Sequence, residues 1–258
     1  MNLLSTEVSI LWPALIAGML VVISHVPLGQ QVFARGIVFI DLAIAQVAGL
    51  GVIAASGLGL HVEGWSAQAA AGSAALAGAL LLTWTERKRP EAQEALIGIL
   101  FVLASALQIL LLANDPHGGD YLKDLLSGQI LWVSNTQLVR TAILTGIFAV
   151  VWFVWRERIG RIGFYLLFAV VVTASVQMVG VYLVFTSLIV PAVATYRYSG
   201  RRQLAIGYGL GIASYVVGLA LSVVTDLPSS AMIVWTMAIL GLIVHLCGNG
   251  GPAPARQG

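Results

Sequence analysis

The residues with chemistry to offer are few and lie within long apolar runs: His25, Gln30, Gln31, Asp41, Gln46, Gln108 and Gln177. A charged side chain at the centre of a bilayer costs about 2.5–3.5 kcal/mol even on the lenient insertion scale, so an ionisable group retained there points to an ion or substrate path. Asp41 and His25 are the ionisable members of the set. Imidazole and carboxylate suit zinc or manganese, whereas a glutamine carbonyl oxygen suits a harder or partly hydrated cation. Gln46 follows Asp41 by five residues, about 140° further round a helix, so the two do not share a face. Asp41, Gln46 and His25 are therefore candidates for an ion or substrate path. Plainer accounts exist for two of them. Asp41 lies near the start of its segment, where Arg35 or a helix N-terminus would neutralise it, and His25 would serve as a neutral imidazole bonded to a neighbouring helix.

Between the apolar runs, His61 with Glu63, and His117 beside Asp115 and Asp120, are candidates for an outer entrance that greets a divalent cation. Solvated loop residues are the competing account. His245 and Cys247 resemble half a metal site, and Cys247 is the single cysteine, which excludes a disulfide framework. No phosphate loop is present, so the chain does not itself hydrolyse ATP, and the absence of H-E-x-x-H and G-x-S-x-G weakens the case for an intramembrane enzyme without closing it. Leu126-Ser127-Gly128-Gln129 loosely resembles an ATPase signature loop but has no phosphate loop beside it.

These residues must be positioned by membrane-spanning helices. The chain is 59% hydrophobic and 9% charged, a balance that cannot cover the surface of a water-soluble domain of this length. Hydrocarbon about 30 Å thick needs roughly 20 apolar residues per helix. On that ruler the sequence predicts an all-α integral membrane protein of about eight transmembrane helices, near residues 10–29, 38–60, 67–85, 94–113, 137–155, 163–179, 203–224 and 229–247. Val181–Ala194 is too short for a lone span and reads as a short re-entrant or half helix sheltered by its neighbours, ahead of a cytoplasmic segment. Residues 1–247 read as a single transmembrane domain and 248–258 as a disordered tail. The N-terminal run, without a basic region or a small-residue cleavage site, reads as a retained first span.

Four basic stations separate the apolar runs: Arg35; Arg87, Lys88 and Arg89; Arg156, Arg158 and Arg161; and Arg197, Arg201 and Arg202. The positive-inside rule puts all four in the cytoplasm of a multi-pass plasma-membrane or inner-membrane protein, with the N-terminus outside. Small residues recur as Ala43, Ala45, Ala48, Gly49 and Gly51 and again as Ala71, Gly72, Ala75 and Gly78, which predicts close helix seams. From Asn114 to Gln137 the spacing of Tyr121, Leu122, Leu125, Leu126, Ile130, Leu131 and Trp132 predicts an amphipathic helix lying flat at the outer interface.

Three segments carry a family resemblance over nearly the whole chain. Pro27-Leu28-Gly29 with Arg35 and IDLAIAQVAGLGV, DLLSGQILWVS from Asp124 to Ser134, and VGVYLVFTSLIVPAVAT from Val179 to Thr195 are similar to the permease subunits of ABC transporters that import zinc, manganese or iron. The resemblance implies a homodimeric permease with cytoplasmic ATPase subunits, an extracytoplasmic metal-binding protein, no permanently bound cofactor, and a divalent metal ion as cargo. It further implies that Pro191 leads into a coupling helix and that Ala192 to Arg202, with Arg197, Arg201 and Arg202, meets the ATPase. Two departures stand out. The family's second span carries an aspartate and, four residues on, a histidine; Leu42 and Gln46 align there, with Asp41 one residue early and so rotated by about 100°. The link from Arg156 to Gly163 is short where the family has a longer acidic loop. A permease for a metal chelate or cobalamin-like cofactor, and an ion-coupled carrier without an ATPase in which Asp41 is the coupling carboxylate, remain alternatives at this stage.

Overall fold

The computed structural model describes residues 3–59, 64–113, 115–155 and 158–248. Among them run ten α-helices and no strand. Eight are long and apolar enough to cross a membrane: α1 (Leu3–Arg35), α2 (Ile40–Gly57), α3 (Trp65–Lys88), α4 (Gln93–Leu112), α6 (Asn135–Trp155), α7 (Arg161–Val179), α9 (Gly200–Thr225) and α10 (Ser229–Cys247). Two are short, α5 (Gly118–Ser127) and α8 (Val181–Ala194). His61, Glu63, Arg156 and the tail from 249 to 258 lie outside the described residues.

The first helix runs past the boundary expected at residue 29 and on to Arg35, with Pro27 inside it. Proline at 27 removes the N–H that would bond the carbonyl of Ile23, and the Tyr208 hydroxyl, from α9, donates to that carbonyl at 3.2 Å. A neighbouring helix thus satisfies the group that proline freed, as the bilayer requires. Two residues later Gly29 lies so close to the backbone carbonyl of Leu188 in α8 that a Cβ would overlap it. Pro27-Leu28-Gly29 is therefore the crossing point of α1 and α8.

That crossing places α8 at the centre. Its 14 residues reach about 21 Å at 1.5 Å each, less than the hydrocarbon thickness. It survives because α1, α7, α9 and α10 pack around it and Leu183, Val184, Leu188 and Pro191 are buried. The Ser187 hydroxyl and the Tyr215 hydroxyl, from α9, are hydrogen-bonded at 3.0 Å. The expectation of a short sheltered helix is met.

The stretch from Asn114 to Gln137 departs from the expected flat amphipathic helix. Helix α5 stops at Gly128, whose φ of +66° is open to glycine and costly for other residues. Gly128 then presses against Val179 and Gly180, again too closely for a side chain on either glycine. A single 3-10 turn, Ile130–Trp132, follows, with Ile130 fully buried. The segment dips into the bundle and returns, and Leu126-Ser127-Gly128-Gln129 is its turning point.

At the opposite end, Arg161 pairs with Glu86 at 3.3 Å, Arg35 lies 4.0 Å over the Phe164 ring, and Gln93 donates to the Leu82 carbonyl at 3.0 Å and the Tyr165 hydroxyl at 3.2 Å. Two of the four basic stations, that of Arg35 and that of Arg161, thus supply groups to one face, as the charge pattern requires.

Candidate functional site

Helices α2, α3, α5, α6 and α7 enclose an outward cavity of about 700 Å³. The wall from α2 is Ala45, Ala48, Gly49 and Val52, residues that recur at helical spacing and so form one face. Lining residues reach no further toward the cytoplasm than Ala45 on α2 and Thr173 on α7. The small residues of α2 therefore divide between two tasks. Gly51 packs on Ala70 and Ala74 of α3 as a seam, while Ala45, Ala48 and Gly49 leave open space.

Asp41 lies four residues before Ala45, on the same helical face and about 6 Å closer to the cytoplasm. It is 1% exposed, and apart from the backbone N–H groups of Asp41 and Leu42 at the start of its own helix neither carboxylate oxygen has a hydrogen-bond partner. Arg35 is engaged over Phe164, so it does not neutralise Asp41, whereas the place of Asp41 in the first turn of α2 agrees with the helix N-terminus account. Nearby, the Phe39 N–H donates to Glu94 Oε1 at 3.3 Å, which brings a second carboxylate, from α4, to the start of α2. The one-residue offset from the family's aspartate position places Asp41, rather than Leu42, on the face of the cavity wall.

Gln46 points elsewhere. Gln108 Nε2, on α4, donates to its backbone carbonyl at 2.7 Å and to its side-chain Oε1 at 2.8 Å. The Gln108 amide oxygen is left without a partner, and a Cβ on Gly49 would lie 3.4 Å from it. Two polar side chains inside the α2–α4 interface thus satisfy each other apart from one acceptor beside the cavity wall.

His25 is fully buried in α1. Its Nδ1 lies 2.9 Å from the Val21 carbonyl; a carbonyl only accepts, so Nδ1 carries the proton and Nε2 keeps its lone pair. Nε2 has no partner, and His25 is not among the cavity-lining residues. None of the three path candidates, His25, Asp41 and Gln46, lines this cavity.

Of the entrance candidates, His117 is described: it is exposed at the start of α5, and its backbone N–H donates to Asp115 Oδ1 at 2.9 Å. No group of three metal-ligating side chains occurs among the described residues. Tyr121, half-buried on the cavity wall, has its phenol pushed above the ordinary range by burial, which keeps it a hydrogen-bond donor. Residues the sequence reading passed over also line this space: Gln68 of α3, Gln129, Gln137 and Arg140 at the outer end of α6, and Thr173 of α7. The signal for Arg140 was available, since an arginine on an outer end runs against the positive-inside pattern.

The cytoplasmic segment after Pro191 is a turn rather than a separate helix. Helix α8 ends at Ala194, α9 begins at Gly200, and Arg201 and Arg202 fall in its first turn. The Thr195 hydroxyl donates to the Pro191 carbonyl at 2.6 Å, and Tyr196 stacks on His245 at 5.6 Å. Arg197, Arg201 and Arg202 are all exposed, with Arg202 lying 5.1 Å over Tyr198.

Comparison with known proteins matches this arrangement end to end. The ABC 3 transport family matches residues 7–160 and 156–248. The manganese transport system membrane protein MntC of Halalkalibacterium halodurans is 28% identical over 254 residues, covering 90% of this chain and 85% of that protein. An uncharacterised membrane protein of Synechocystis is 27% identical over 251 residues, covering 89% and 88%. Among solved structures, PsaBC from Streptococcus pneumoniae in complex with Fab has the same fold, with a TM-score of 0.77 at 21% identity over 96% of this chain and 97% of that one. With eight spans, a buried half helix and a family match across both halves, this multi-pass protein of the plasma membrane belongs to the ABC 3 transport family.

Proposed function

We propose that the chain is the membrane-spanning permease of an ATP-binding-cassette importer for divalent metal, with zinc, manganese or iron as cargo. It works as a homodimer, with ATPase subunits bound at the cytoplasmic turn and an extracytoplasmic metal-binding protein delivering cargo to the outer cavity. The observation that supports this most is the α2 face on which the cavity wall of Ala45, Ala48 and Gly49 leads to Asp41. In the outward-open state cargo occupies the cavity. Movement of the α8–α9 turn then separates the helices between Ala45 and Asp41, and the buried carboxylate becomes the next ligand on the way in. Gln46 and Gln108 present an amide oxygen beside that route. Arg197, Arg201 and Arg202 offer the ATPase a basic, exposed docking element, and Pro191 lies in the last turn of the helix that leads into it.

The test is total zinc, manganese and iron, by mass spectrometry, in cells lacking the protein and in cells with it restored, under metal limitation. A selective fall in one metal that recovers on restoration is the expected result. Three unchanged metals would remove this reading.

A further inference from the structure

The outer cavity is larger and differently lined than a bare ion needs. Its volume of about 700 Å³ falls in the range of about 300–1,000 Å³ that encloses organic ligands. One water takes a share of about 30 Å³ of liquid, so six first-shell waters around an ion fill roughly 200 Å³. Most of the space is then left over. The donors also differ from those that hold a transition-metal ion. Asp124 is the one carboxylate among the described lining residues, and none of them is a histidine or cysteine. Imidazole and thiolate are the groups that grip zinc and its neighbours.

In their place stand the glutamine amides and Arg140. The Arg140 guanidinium lies 4.1 Å over the Trp65 ring, which fixes its position, and its Nε is enclosed without a hydrogen-bond partner. No carboxylate among the described residues pairs with it. From α7, Thr173 lines the same cavity at 3% exposure, and its hydroxyl has no partner. Enclosed donors left unpaired carry a desolvation cost that an acceptor-rich ligand removes. A guanidinium matches a carboxylate in particular, because its planar fork bonds both oxygens. A bare cation gains nothing from Arg140 and is repelled by it.

Building on the importer reading, we propose that the outer cavity takes its metal as a complex with a small carboxylate-bearing chelator. The chelator's free oxygens accept from Arg140, Thr173 and the glutamine amides, while Asp124 faces the metal. The one cation and one anion among the described lining residues suit such a complex, which presents carboxylates and a metal together.

Citrate is the probe. Cells lacking the chain are restored with the wild type, Arg140→Gln, Arg140→Lys or Thr173→Val, and membrane abundance is followed by immunoblot. Radioactive zinc, manganese or iron is supplied either uncomplexed or with excess carbon-labelled citrate. The expected result is that metal and citrate labels enter together in the wild type, and that Arg140→Gln lowers both by at least about tenfold, the scale of a lost charged hydrogen bond. Arg140→Lys recovers part of that loss, and Thr173→Val shows a smaller one at equal abundance. Metal entering without citrate label, or Arg140→Gln matching the wild type with the complex, overturns the chelate cargo and leaves the importer standing. If neither form of metal depends on the chain, the importer reading itself fails and this inference goes with it.

Discussion

An aspartate whose enclosed oxygens meet only the backbone N–H groups at the start of α2 has no structural task there that the side-chain oxygen of asparagine, of the same shape, could not fill. Asp41→Asn is therefore expected to reach the membrane at normal abundance and to lower metal uptake by at least about tenfold, a loss of roughly 1.4 kcal/mol or more in binding or transfer. Normal uptake by this variant would make Asp41 a passive resident. Gln108 invites a different experiment, because its amide and that of Gln46 are each other's partners. Gln108→Leu strands the Gln46 amide at a cost of about 1–3 kcal/mol, and Gln46→Leu in the same chain should return part of it. Melting temperatures of the two single variants and the double variant in detergent measure that coupling, and strict additivity would deny it. Asp41 was legible in the sequence because a carboxylate in an apolar run is conspicuous. Its orientation was not, since resemblance pointed to Leu42, and only the neighbours of α2 reveal which face looks into the cavity. Arg140 stood out against the charge pattern, but what matters about it and about Thr173 is what they lack, a partner, which no spacing records.

Among the elements, the ones that length and hydropathy govern were readable, and α2, α4, α7, α9 and α10 begin and end close to where the apolar runs predict. The failures are local and share a cause. The first helix runs past its expected end at residue 29 to Arg35, with Pro27 held inside it by the hydrogen bond that Tyr208, on a helix far along the chain, supplies. Helix α5 stops at Gly128 because Gly180 receives it. Both are tertiary overrides of a local pattern. The glycine pair gives an element-level prediction. A side chain at Gly180 meets the Gly128 backbone and must adopt a φ of +83°, so Gly180→Val should abolish accumulation of the protein in the membrane. Gly209, in α9, has open space around it, and Gly209→Ala should be neutral or stabilising by up to about 1 kcal/mol. Equal accumulation of both variants would show that the α5–α8 contact is dispensable.

The whole molecule separates an outer half that holds space from an inner half that holds charge. Its orientation can be measured with what the chain already has, since Cys247 is the single cysteine, is exposed, and ends α10 on the face predicted to be cytoplasmic. A membrane-impermeant maleimide should modify it in permeabilised cells and spare it in intact ones; labelling of intact cells would invert the topology. Composition made the membrane class and the basic face legible, whereas the cavity, which arises from five helices that meet only after folding, was not. Between the two halves stands α8, whose first residue follows the Gly128–Gly180 contact and whose last precedes the arginine turn. Fourteen residues of continuous helix, clamped midway where Gly29 crosses Leu188, make a connecting rod with a fulcrum. Its two ends cannot be displaced independently, so a push on the arginine turn is felt at the rim of the cavity with its direction reversed.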